Sequence, residues 1–159
     1  MKLILSILFI LLTSEQPMVV NHPKVIQPIV KSQAIVNVPI NSMLSLVNNE
    51  RIKQNLPTLF EDNRLDRVAQ DKANELCATG YFSHEDTQGK MSWHFFTEEG
   101  YRYVYAGENL AKGYLNENEA MVAFMNSPEH KDNILNGNYK NFGYAQCGIY
   151  MVQEFGSLY

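Results

Sequence analysis

Three polar residues stand in apolar surroundings where a side chain could do chemistry. They are His84 in Tyr81-Phe82-Ser83-His84, Glu108 in Gly107-Glu108-Asn109-Leu110-Ala111, and His130 in Ser127-Pro128-Glu129-His130. Imidazole nitrogen and carboxylate oxygen are donor types that suit zinc or another divalent metal with an open position. The same set could exchange protons, with His130 as general base and Glu108 orienting a histidine, given a nucleophile or an activated water. A place in the first turn of a helix exposes His130 to the positive end of the helix dipole. That disfavours the imidazolium and leaves the ring able to accept a proton or a metal. Each residue also has a plain structural reading, and Glu108 could simply accept backbone hydrogen bonds in its turn, where Gly107 would let the backbone approach closely and turn. The long spacings form no local motif: no two histidines lie one helical turn apart, and there is neither an embedded-serine elbow nor a reactive-cysteine signature. Ser83 beside His84 makes no triad, since neighbouring residues point apart. His94, between Trp93 and Phe95, reads as a packed residue, and His22 as a bystander.

These residues need a frame to hold them. Asn41 or Ser42 is a plausible cap for a helix carrying Leu44, Val47 and Arg51 on neighbouring turns, which ends at Asn55 and the Leu56-Pro57 step. A second helix starts near Asp62 or Asn63, places Leu65, Val68, Ala69, Ala73 and Leu76 on one stripe, and stops at Gly80. A short helix is expected from Ser92 to Glu99, and Tyr101 to Tyr105 alternates like a strand. Asn116 with Glu119 opens a helix bearing Ala120, Ala123 and Phe124, and Ser127-Pro128 opens another. Two strands close the chain, about 142–146 and 149–155, joined around Cys147-Gly148. Helices early and antiparallel strands late predict an α+β class with helices covering a sheet.

The 159 residues are 45% hydrophobic, enough for one globular domain with a short appendage. The net charge is -4; setting aside residues 1–40 removes Lys2, Lys24, Lys31 and Glu15 and leaves the rest near -6. With no cluster of lysines or arginines to track phosphates, nucleic acid is excluded as a partner. Lys2 followed by the apolar run Leu3 to Leu12 reads as a secretory signal over 1–14. The run is shorter than the about 20 residues a membrane span needs, so cleavage and secretion are expected, with an uncleaved N-terminal anchor as the alternative. Pro17, Pro23, Pro28 and Pro39 make 15–40 an extended linker ahead of a domain over 41–159. Cys77 and Cys147 could bridge in an oxidising compartment or sit apart as small buried hydrophobes, and both alternatives stay open.

The order of the segments carries more than any one of them. Leu46-Val47-Asn48 with Arg51, Leu65 to Ala73, Tyr81-Phe82-Ser83-His84, Gly107-Glu108-Asn109-Leu110-Ala111, Asn126-Ser127-Pro128-Glu129-His130 with Asn133-Ile134-Leu135, and Val152-Gln153-Glu154-Phe155-Gly156 follow one another. This resembles the CAP superfamily, also called SCP-like, of cysteine-rich secretory, antigen 5 and pathogenesis-related 1 proteins, in its short prokaryotic-type branch. The match runs from about Ser42 to Phe155.

The resemblance implies an α-β-α sandwich with a central antiparallel sheet, and a shallow cleft lined by two histidines and two glutamates that can hold a divalent metal such as zinc. His84 matches the first histidine, Glu108 the first glutamate and His130 the second histidine. The second glutamate falls near Asn126 or Ser127, where this chain has no acid, and its role is not moved onto nearby Glu129. Phe124 and Met151 stand where many relatives have tryptophan, and Thr87-Gln88 replaces a proline turn. Three functions follow as expectations. The first is an extracellular binding module for a lipid, sterol, glycan or protein; the second, a metal-assisted hydrolase or peptidase using the same cleft; the third, a non-catalytic cell-surface domain.

Overall fold

The computed structural model describes residues 42–159. The expected signal over 1–14, the linker over 15–40, the alternative cap Asn41 and His22 lie outside the described residues. Helix α1 (Met43–Lys53) starts at Ser42, whose hydroxyl accepts from the Ser45 N–H at 3.3 Å. Buried Arg51, in its last turn, donates to the carbonyls of Pro57, Ile134 and Asn136 at 2.8, 2.8 and 2.9 Å. After the two-residue strand β1 (Phe60–Glu61), α2 (Asn63–Thr79) is capped by Asp62 and stopped by Gly80 at φ 68°, a left-handed conformation that glycine adopts without strain. The short α3 (Trp93–Glu98) precedes strand β2 (Tyr103–Lys112). Then come α4 (Glu117–Asn126), α5 (Pro128–Ile134) and the strands β3 (Asn141–Cys147) and β4 (Tyr150–Leu158).

The sheet order is β1-β3-β4-β2. β4 pairs antiparallel with β3 and β2, while β1 joins β3 in parallel and departs from the all-antiparallel expectation. Two residues carry no alternation, so β1 has no signature of its own in the sequence. Successive residues of a strand face opposite sides, and the core divides accordingly. Leu110, Ala145, Tyr150 and Val152 pack with Ala69, Ala73 and Leu76 of α2. Ala111, Phe142, Met151 and Phe155 pack with α1, α4 and Ile134 of α5. This is the α-β-α sandwich expected of the sequence. Gly143 lets α2 sit close on β3, because a Cβ there would overlap the Leu65 backbone.

One boundary differs in a way that matters for the site. β2 does not stop at Tyr105 but runs through Gly107 and Glu108 to Lys112. Gly107 therefore marks no turn; a side chain there would collide with the hydroxyl end of Tyr139 and with Asn133. Cys77 and Cys147 are bridged, with Cα atoms 6.0 Å apart, tying the last turn of α2 to the end of β3.

Candidate functional site

Glu108 faces the α2 layer from β2, and the register sets it opposite Glu154 on β4. Its Oε1 lies 2.6 Å from His84 Nδ1. The Glu108 side chain is buried, whereas that of His84 is half exposed. The loop that brings His84 there is fixed by buried Ser92, whose N–H and hydroxyl both donate to the His84 carbonyl, at 3.2 and 2.9 Å. The bond to Glu108 raises the His84 pKa above the ordinary imidazole value, against the opposing effect of partial burial.

Beneath this pair lies a carboxylate not assigned to the site from the sequence. Glu154 is fully buried against Glu108, and no N–H or O–H donor of the described residues reaches its oxygens or Glu108 Oε2. Burial, and then the charge of Glu108, push the Glu154 pKa well above its usual value. Burial beside a second carboxylate favours the protonated form of Glu154. Lys72 of α2, also fully buried, adds a positive charge here and reaches Glu75 at 3.3 Å. Lys72 falls on the apolar stripe of α2, four residues after Val68 and three after Ala69, and that placement was the available signal. Glu154 had none, because its approach to Glu108 depends on strand register.

His130 stands in the other layer. Asn109 Nδ2 donates to the His130 carbonyl and to Gln153 Oε1, both at 3.0 Å. Asn133 Nδ2 donates to the Glu108 carbonyl at 3.1 Å and to Asn109 Oδ1 at 2.9 Å. These bonds fasten α5 to β2 and give the asparagines of the two motifs their role. The His130 ring packs edge-on to Phe124 at 5.2 Å between centroids, and its nitrogens have no hydrogen-bond partner among the described residues. Burial lowers the His130 pKa, and the charge of His84 lowers it further.

The structure thus pairs His84 directly with Glu108, while His130, on α5, makes no hydrogen bond to either and feels the charge of His84. Among the described residues, no three His, Cys, Asp or Glu side chains are disposed to hold a metal ion. His84 Nδ1 is taken by Glu108, and Lys72 already supplies a cation to the acids. As placed, these side chains form no closed donor set for zinc among the described residues. No serine hydroxyl is hydrogen-bonded to the ring of His84 or His130 among the described residues. His94 lies outside the site, its Nδ1 2.9 Å from the Met91 carbonyl and its ring against Phe95.

Where β2 leaves the pair, its edge opens into a cavity of about 280 Å³ lined by Phe82, Leu110, Lys112, Phe124, Ser127 and His130, among others. Phe82 stacks on Tyr150 at 6.1 Å, and Lys112 Nζ lies 5.9 and 5.2 Å from the two ring centroids. Ser127 was expected to cap α5, yet its side chain makes no cap hydrogen bond. A second cavity, about 470 Å³, opens by α1 and β1 around Leu44, Asn48, Leu59 and Phe60, and it holds none of the histidines.

Helices on both faces of a largely antiparallel sheet, with a histidine–glutamate pair at an edge strand, define an SCP-type domain. The profile of the cysteine-rich secretory protein family, CAP, matches residues 44–154, and the chain belongs to that family. Protein YkwD of Bacillus subtilis is 35% identical over 115 residues, 71% of this chain and 45% of that protein. The membrane protein YlbC of the same organism is 30% identical over 71% of this chain and 33% of its own length. The chain thus spans less than half the length of these curated relatives. Among solved structures, an extracellular SCP-domain protein of Bacillus anthracis superposes with a TM-score of 0.69 at 25% identity, covering 72% of this chain and 38% of that one. An outer surface protein of Borrelia burgdorferi also gives 0.69, at 24% identity, over 74% of this chain and 90% of that protein.

Proposed function

We propose that this chain is an extracellular CAP binding module that holds a small ligand in the cavity along the edge of β2, beside the His84–Glu108 pair. One observation carries the reading. Lys112, Ser127 and His130 converge on a largely apolar cavity, and none of their polar side-chain groups has a hydrogen-bond or ion-pair partner among the described residues. Apolar walls with a few convergent polar groups are what small-molecule sites present. A ligand seated there can take the place of water at these half-buried and exposed groups. The placement outside the cell is supported by the apolar N-terminal run, by the Cys77–Cys147 bridge, which suits an oxidising compartment, and by the likeness to the extracellular Bacillus anthracis protein. No described helix is long and apolar enough to cross a membrane.

The test is a solution NMR screen of the full chain against sugars, amphiphiles and short peptides. Signals of Phe82, Lys112, Ser127 and His130 should move together for at least one class, and Phe82→Ala should abolish the response. If no compound moves those signals, or if Phe82→Ala responds as wild type does, the cavity is not a binding site.

A further inference from the structure

Whatever enters this cavity must match its size, its charge and its unpartnered polar groups together. At about 280 Å³ it lies at or below the lower end of the about 300–1,000 Å³ range of small-molecule sites, a volume that about one ring fills. No aspartate or glutamate lines it, and the cation among its lining residues is Lys112. That lysine is fixed in place as the last residue of β2, opposite Tyr150 in the register, with the following Gly113 N–H donating to the Ile149 carbonyl at 2.8 Å. Its ammonium has two ring faces and no carboxylate. Glu129, on the first turn of α5, is the nearest acid in the chain to His130 and is not among the lining residues.

The remaining polar groups are the Ser127 hydroxyl, the His130 ring and the Tyr114 hydroxyl. They are spread around the cavity and can each donate or accept, which suits a ligand with several hydroxyls rather than one with a single polar end. Phe82 and Tyr114 are partly exposed at 42% and 37% and offer aromatic faces. The negative face of an aromatic ring attracts weakly positive C–H groups such as those on one side of a pyranose.

We propose that the cavity is a subsite for an acidic sugar, the pyranose resting on Phe82 and Tyr114 with its carboxylate at Lys112. This rests on the binding-module reading and narrows it to one ligand class. The carboxylate sits among aromatic rings with Lys112 as its counter-charge, and Ser127 and His130 bind the ring hydroxyls.

The test uses the full chain and three probes followed by NMR at fixed salt: D-glucuronate, D-glucose and butyrate. Glucuronate should move the signals of Lys112, Ser127 and His130 and bind at least about tenfold more tightly than glucose or butyrate. Lys112→Gln should remove that margin, so that glucuronate and glucose bind this variant equally. Glucose binding as tightly as glucuronate, or Lys112→Gln keeping the preference, overturns the acid assignment. Equal binding of butyrate overturns the sugar assignment. In either case the cavity still binds, and the broader reading stands. Should all three probes leave the cavity signals still while another class moves them, the proposal fails alone; if no compound of any class moves them, both fail.

Discussion

At the scale of single residues the site is an arrangement of protons. His84 is held above the ordinary imidazole value by Glu108, and His130 below it by burial. Proton-detected titration of the two rings should therefore resolve them on opposite sides of about 6.5, and Glu108→Gln should bring His84 down. A raised folded-state pKa contributes stability that is complete below the unfolded value of about 6.5 and is lost as pH rises through the folded value. The His84 pair therefore stabilises at mildly acidic pH and fades above it. Glu154 has the same sign over a lower starting point: its contribution is complete below about 4.3 and declines as pH rises toward the raised folded value. Glu154→Gln keeps the shape and a donor toward Glu108 but removes the need to hold a proton. It should stabilise the fold at neutral pH by about 1–3 kcal/mol and flatten the dependence of melting temperature on pH. A variant no more stable than wild type, with an unchanged slope, would show that Glu154 is ionised in the native protein.

At the scale of elements, α2 places a lysine where its periodicity demands an apolar residue. Lys72 is fully buried, and removing one member of a buried charge set leaves the rest uncompensated. Lys72→Met should cost about 3 kcal/mol in chemical denaturation, and adding Glu154→Gln should recover part of it. Additive losses would mean that the two residues do not sense each other. The helices were legible because their signals are local. Ser42, Asp62 and Asn116 all cap as their side chains suggest, and Gly80 stops α2. The strands were less so. Gly107 looks like a turn when its neighbours are read along the chain, and is a strand residue because Tyr139 crosses over it. The direct contact of His84 with Glu108 depends on which way Glu108 faces in β2, a property of strand pairing that no local pattern reveals. The same non-local register hid Glu154.

At the scale of the molecule, two layers share one sheet and meet around its β2 edge, where the cavity opens. The Cys77–Cys147 bridge closes a loop of 70 residues that includes His84, Glu108, His130 and most of the cavity. In the loop-entropy description such a closure stabilises by about 4 kcal/mol. Reduction, or a Cys77→Ala/Cys147→Ala double variant, should lower unfolding free energy by an amount of that order, measured by urea denaturation. The family and the layered architecture could be read from the order of short motifs; the bridge could not, because separation in sequence says nothing about Cα spacing.

The bridge also has a consequence in time. It joins α2 to the strand end next to the β3–β4 turn, and that turn leads into Tyr150, the ring on which Phe82 and Lys112 rest. Thiols stay reduced inside most cells and pair only on reaching an oxidising environment. Until the two thiols pair, the chain carries the wall of its cavity without the clasp. Completion of that wall therefore follows an oxidation and not the end of synthesis alone.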